Sequence, residues 1–272
     1  SSVAKYRAEG IPSTLVCCTG GEAGDILNPA MDRPEVRDNL AEVRREELAR
    51  ATEEIGYETV EMLGYHDSGM PDMPENARPD NFWNAPLDEA IGRLVAIIRR
   101  DRPQVIVTYP EDQSHYAHPD HLRVHDITVP AFDRAADPAW YPEAGDPFQP
   151  LKLYYSTWSV ARMSALHDKF VELGLESPFD ESWRARWKDA SQDHLITTQV
   201  PIRDFYAVRE KALLAHATQI DPESPFWFGL PTDVAADVHP FDDYVLARSL
   251  VPTDIPESDL FAGVPGRVRE AL

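Results

Sequence analysis

Pro103-Gln-Val-Ile-Val-Thr-Tyr109, followed after a short loop by His115-Tyr-Ala-His-Pro-Asp-His-Leu-Arg-Val-His125, is the stretch that decides the fold. Its first part is a continuous apolar run rich in β-branched residues, of the kind buried on both faces of a parallel sheet. Its second part carries Pro119, a residue favoured at the first position of a helix, where its missing N–H would be unpaired in any case. A strand therefore runs into a helix, with a polar cluster at the strand's carboxyl end.

The same pattern repeats outward. Upstream, Ser13-Thr-Leu-Val-Cys-Cys-Thr19 reads as a strand ending in Gly20-Gly21-Glu22. Val36, Leu40, Val43, Leu48, Ala51 and Ile55 then trace a helix over about 35–55, stopped by Gly56. Thr59 to Tyr65 reads as a second strand leading into His66-Asp67-Ser68-Gly69, and a loop rich in Pro, Asp and Asn fills about 70–85. Pro86 opens a further helix with Leu87, Ile91, Leu94 and Ile98 on its apolar face. Leu151-Lys-Leu-Tyr-Tyr155 reads as another strand. Alternation of this kind predicts an α/β fold built on an open, mostly parallel sheet flanked by helices. In such sheets ligands bind at the carboxyl ends of the strands, which is where the polar clusters fall.

Beyond about Ser159 the pattern turns helical and Trp-rich, with Trp183, Trp187 and Trp227, and an amphipathic helix spans about 203–217. The tail after Phe241, with its prolines and acids, is expected to wrap the surface. The expected organisation is a catalytic core over 1–158 and a smaller, mainly helical part over 159–272 that closes on substrate.

With 272 residues, 43% hydrophobic and 27% charged, the chain can bury a sizeable core. A net charge of -21, spread along the chain, argues against nucleic acid or an anionic membrane as partner. Cys17 and Cys18 are adjacent on a strand and point to opposite faces, so no bridge between them is expected. Two lone thiols, no apolar stretch long enough to span a bilayer and no apolar core in the first residues read as a cytoplasmic protein.

Within the His-rich segment, His118 and His121 are spaced i, i+3 and His121 and His125 i, i+4 on one helix face. Imidazoles at that spacing can share a metal, and zinc is the metal they first suggest. Exposed histidines also decorate acidic surfaces, so spacing alone leaves both readings open. The chain has no HExxH, GxSxG or P-loop pattern. Glu22 and Asp67 each follow a strand, where carboxylates could bind sugar hydroxyls or an amine, and Arg44 could reach the same place from its helix. Turn formation or capping explains the two acids equally well, and a solvated helix face explains Arg44.

Taken in order, Thr19-Gly-Gly-Glu22, Arg44-Arg-Glu-Glu47, His66-Asp-Ser-Gly-Met70, Tyr116-Ala-His-Pro-Asp-His121 and His216-Ala-Thr-Gln-Ile-Asp221 resemble the LmbE/PIG-L-like zinc N-deacetylases. Pro150-Leu-Lys-Leu-Tyr-Tyr155 and Ser258-Asp-Leu-Phe-Ala-Gly263 are similar to the branch of amidases that cleave mycothiol S-conjugates, and the resemblance covers nearly the whole chain. It implies a Rossmann-like sheet and a zinc cofactor, with iron as the other metal to consider. It implies that His121 is a zinc ligand and that His118 stabilises the oxyanion or protonates the leaving amine. Asp120 would orient and charge that imidazole, and Tyr116 would polarise the substrate carbonyl. Glu22, Arg44 and Asp67 would hold glucosamine and inositol hydroxyls, with Met70 packed beside them; His125 is read as structural.

The family opens with a strand ending in His-Pro-Asp-Asp-Glu, which supplies two further ligands and a general base. Aligning Tyr6 onward places that motif just upstream of Ser1, so the natural chain is expected to be longer. The implied substrate is a small-molecule thiol-sugar conjugate. The sister activity is deacetylation of N-acetylglucosaminyl-inositol; a non-catalytic sugar-thiol binding protein and, more distantly, a zinc phosphoesterase are the rivals. Trp183, Trp187, Phe226, Trp227 and Phe228 could wall a site for a bulky conjugate or simply pack a core. A homo-oligomer is left open.

Overall fold

Burial of the apolar runs produces a mixed α/β architecture in the computed structural model, which describes residues 1–113, 116–179, 181–182, 184–185 and 191–266. In chain order the first elements are α1 (Ser2–Ala8), β1 (Thr14–Thr19), α2 (Pro34–Arg37), α3 (Leu40–Ile55), β2 (Thr59–Tyr65), α4 (Leu87–Asp101) and β3 (Val105–Thr108). They are followed by α5 (Pro119–Arg134), β4 (Lys152–Ser156), α6 (Val160–Glu172), β5 (Thr198–Pro201), α7 (Tyr206–Ala215), α8 (Pro225–Phe228), α9 (Thr232–Val238) and β6 (Phe241–Ser249). The chain divides into one compact unit of residues 1–84, 159–191 and 201–242, and another of 85–158, 192–200 and 243–272.

In the first unit β1 and β2 pair in parallel, Thr14 against Thr59 through Cys17 against Met62, and the connection between them carries α3. A parallel pair requires such a crossover. The helix expected over 35–55 is broken at its start. Asn39 leaves helical geometry at φ -125, and its side chain donates to the Glu35 carbonyl at 2.9 Å, closing α2 as a separate turn. Gly56, at φ +88, ends α3 in the left-handed conformation that glycine adopts without steric cost. The buried face of α3 is unusual: Arg44 and Glu47 lie on it beside Ala51 and Thr52. Phe226 packs with Phe179 and Trp227 at centroid distances of 5.4 and 4.7 Å, an aromatic cluster internal to this unit. Trp183 and Trp187 lie outside the described residues.

Burial, reinforced by the neighbouring Cys17, pushes the Tyr57 phenol from 10.0 up to about 12. A raised phenol favours its neutral form, so its contribution to stability is complete below about pH 10 and is lost as pH rises through 12. Titration monitored by tyrosinate absorbance is expected to show one phenol ionising near pH 12, and Tyr57→Phe to remove that step.

In the second unit β3 and β4 pair in parallel, Val105 with Lys152 through Thr108 with Tyr155. The strand order is β3-β4-β6-β5, and β6 runs antiparallel to β4. The tail is thus not a surface wrap. Its first nine residues form β6, and Glu257, Leu260 and Val264 beyond it are buried. Acids at the start of β6 hide its period, and pairing with β4 supplies what local propensity lacks. Ile91, Leu94 and Ile98 lie on the buried face of α4 as the spacing predicts, with Ala90 and Val95 beside them, but Leu87 at the helix start is 40% exposed. Among the described residues no helix is long and apolar enough to cross a membrane.

Candidate active site

Gly24 lets the loop after β1 close tightly on a cation. Arg44 is 5% exposed, and a Cβ on Gly24 would stand 2.7 Å from its Nη1. Its Nη2 donates to the Asp25 carbonyl at 2.9 Å, while Nε and Nη1 are buried with no hydrogen-bond partner among the described residues. Burial lowers the guanidinium's pKa, against the pull of Glu47, Asp67, Asp25 and Glu22. Buried donors left unpaired cost about 1–3 kcal/mol each, so this side chain is held at an energetic cost.

The Glu22 carboxylate reaches the Asp67 backbone, and for Asp67 the turn-forming explanation holds. One oxygen of Glu22 accepts the Asp67 N–H at 2.9 Å and lies 2.7 Å from His66 Nδ1. Asp67 accepts the Gly69 N–H at 2.8 Å, closing an Asx turn, and is itself buried. Ser68, fully buried, accepts the Trp83 N–H at 2.9 Å and ties the loop down. Met70 is 40% exposed at its rim.

Glu47 shows why the Arg44 helix packs inward. Its two carboxylate oxygens accept the Thr218 N–H at 2.7 Å and hydroxyl at 2.8 Å, and both residues are sealed from solvent. The Thr218 carbonyl in turn accepts the Leu27 N–H at 2.8 Å. The His216–Asp221 segment therefore holds the glycine-rich loop against α3. Burial, offset in part by Glu47, lowers the His216 pKa.

In the second unit His118 is the N-cap of α5, its Nδ1 accepting the Asp120 N–H at 3.1 Å. An imidazole that accepts at Nδ1 carries its proton on Nε2 when neutral, so that nitrogen is a donor. The His118 and His121 rings are 5.2 Å apart, and Tyr109 stacks on His121 at 4.5 Å and 11°. Tyr116, 54% exposed, lies 5.5 Å from His121 and 6.2 Å from His118. Asp120 is buried, with a carboxylate oxygen within 4.8 Å of a His118 ring nitrogen. His125 turns its Nδ1 to the Tyr109 carbonyl at 3.1 Å, the structural contact expected of it. His118 and Asp120 bring together a nitrogen and an oxygen donor of the kinds zinc accepts, while His121, among the described residues, belongs to no group of three ligand atoms within 4.8 Å of one another.

The spacing argument missed Gln113, buried, which donates to the Pro110 and His121 carbonyls and fastens the loop to the helix. It also missed Tyr109 as a stacking partner, although a tyrosine at a strand's carboxyl end is a legible sign. His115 lies outside the described residues.

Helix-flanked sheets and the relatives of this sequence place the chain among hydrolases of amide bonds: it belongs to the PIG-L family. The family profile, described as GlcNAc-PI de-N-acetylase, matches residues 1–132, and deacetylases of this family are metal-dependent. The mycothiol S-conjugate amidase of Streptomyces coelicolor is 45% identical, over 97% of this chain and 91% of its own length. The 1D-myo-inositol 2-acetamido-2-deoxy-alpha-D-glucopyranoside deacetylase of Streptomyces scabiei is 37% identical over 98% of this chain and 85% of its own. Among solved structures, the N,N'-diacetylchitobiose deacetylase of Pyrococcus horikoshii shares the fold at a TM-score of 0.58. That match covers 90% of this chain and 76% of the other at 14% identity. A small-molecule sugar conjugate is the class of ligand these relatives share.

Proposed function

We propose that the chain hydrolyses the amide of mycothiol S-conjugates, releasing glucosaminyl-inositol and an N-acetylcysteine S-conjugate, as a cytoplasmic enzyme with zinc. The observation that carries the reading is the 45% identity to an amidase of that name along 97% of the chain. Deacetylation of N-acetylglucosaminyl-inositol is the second reading, favoured by relatives of that name at 36–39% identity. The two differ in the size of the acyl group accepted.

His121 would hold zinc at the start of α5, its ring 5.2 Å from that of His118. Zinc, when bound, supplies Lewis acidity toward the amide carbonyl and toward the attacking water. His118 donates from Nε2 to the developing oxyanion, a contribution of about 3–4 kcal/mol for a donor of that kind. Its Nδ1 contact to the Asp120 N–H fixes the tautomer this requires. The exposed phenol of Tyr116 adds a second donor, and Asp120 orients the His118 imidazole through its backbone N–H. In the sugar-binding loops, Glu22 and Asp67 accept from ring hydroxyls, Arg44 donates from Nε and Nη1, and Met70 packs against the ring.

Release of primary amine should be measured from a mycothiol S-conjugate and from N-acetylglucosaminyl-inositol, with and without chelator. Both the 272-residue chain and the same chain extended upstream by a His-Pro-Asp-Asp-Glu strand should be assayed. Faster, chelator-sensitive release from the conjugate supports the amidase; preference for the acetyl substrate overturns it in favour of the deacetylase. A separate test concerns Arg44. Arg44→Met removes two unpaired buried donors, but also the bond to the Asp25 carbonyl and the cation facing buried Glu47 and Asp67. The variant is therefore expected to fold but to melt lower than the parent. It should bind glucosaminyl-inositol about 10- to 100-fold more weakly, the loss expected of charge-assisted hydrogen bonds.

A further inference from the structure

His66 has no role in the reading above, yet it is the residue most directly placed to set the geometry of Glu22. Its backbone is pinned on both sides: its N–H donates to the Asp80 carbonyl at 3.4 Å, and its carbonyl accepts the Phe82 N–H at 2.9 Å. A β-bridge to Asn81 lies between these two contacts. With its backbone fixed, the ring can be aimed only through its χ1 and χ2 rotamers. Its Nδ1 lies 2.7 Å from Glu22 Oε1, the oxygen that also accepts the Asp67 N–H at 2.9 Å. Both donors converge on Oε1, and Oε2 remains an acceptor for a ligand hydroxyl.

The carboxylate is folded back so far that a Cβ on Gly20 would stand 2.8 Å from Oε2. A carboxylate left on one donor would recover rotamer freedom, and a ligand would have to pay for its ordering. The His66 side chain is 47% exposed and that of Glu22 22%, so the pair stands at the surface of the loops and not inside the core. A neutral imidazole suffices for the contact, because Nδ1–H is the donor it requires.

We propose that His66 is a positioning residue for sugar recognition: through Nδ1–H it holds Glu22 in the one orientation that presents Oε2 to a hydroxyl of the glucosaminyl-inositol ring. This rests on the reading of Glu22 as a sugar contact.

Calorimetric titration of glucosaminyl-inositol into the full chain separates the two claims, with melting temperature as the check on folding. His66→Ala is expected to weaken binding about tenfold, the effect of one hydrogen bond to a charged group. His66→Asn, whose amide nitrogen takes the place of Nδ1, should come back to within about threefold of the parent. Glu22→Gln should weaken binding at least as much, and the double variant His66→Ala with Glu22→Gln should be no weaker than Glu22→Gln alone. Wild-type affinity in His66→Ala, alongside a weakened Glu22→Gln, would overturn the role of His66 and leave Glu22 standing. Equal losses in the Ala and Asn variants would overturn it too, because the effect would then belong to the loop and not to the donor. Unchanged binding in Glu22→Gln, or none by the parent, would bring down the underlying reading along with the proposal.

Discussion

Glu257→Ala is expected to destabilise the chain by about 3–5 kcal/mol, the cost of leaving a buried cation without its counter-ion. Lys152 is fully buried on β4, and its Nζ lies 2.5 Å from Glu257 Oε1 and 3.0 Å from the Ala262 carbonyl. The second Glu257 oxygen accepts from the Tyr154 hydroxyl at 2.7 Å and the Thr198 hydroxyl at 3.1 Å. Its backbone also pairs with Thr197 and Gln199. One carboxylate thus joins β4, β5 and the segment after β6, and its loss strands a charge and two hydroxyls together. Urea denaturation should show the drop as a lower midpoint. Lys152→Met combined with Glu257→Leu should recover most of it, since removing both charges removes the desolvation cost as well. A Glu257→Ala midpoint within experimental error of the parent would show that the pair contributes nothing to folding.

The second large effect belongs to the histidines at the start of α5, and the two should fail differently. His121→Ala is expected to lose bound zinc, by metal analysis, and turnover with it. His118→Ala is expected to keep zinc while kcat falls about 100- to 1000-fold, the usual consequence of deleting an oxyanion donor. The His118 substitution also deletes an N-cap, at about 1 kcal/mol, which a melting curve measures independently. A His121→Ala variant with a full zinc complement would remove that residue from the ligand set. A His118→Ala variant with unchanged kcat would assign the oxyanion to another donor.

Local pattern was enough for most of the scaffold. Thr59–Tyr65 forms the strand that its β-branched and aromatic residues predict, and Pro119 opens the helix where its fixed φ is best tolerated. The histidines of that helix start also come together as their spacing requires, because i, i+3 neighbours share a face by geometry alone. Where local and long-range demands diverge, the pattern misleads. Asp242, Asp243 and Arg248 make β6 read as a tail, and only its pairing with β4 makes it a strand. Asn39 could have continued a helix by spacing, but its side chain found the Glu35 carbonyl instead.

The sequence by itself determined the α/β class, the positions of the main strands and helices, and the residue types that chemistry at an amide needs. These follow from periodicity and from backbone preferences that act within a few residues. Tertiary structure decided that Arg44 would be buried with donors to spare, that Glu47 would close on Thr218, and that Glu22 would be held by His66 and Asp67. The partners of Glu22 and Glu47 are 44 to 171 residues away, beyond the reach of any local rule. Desolvation and hydrogen-bond satisfaction choose among them only once the chain has packed.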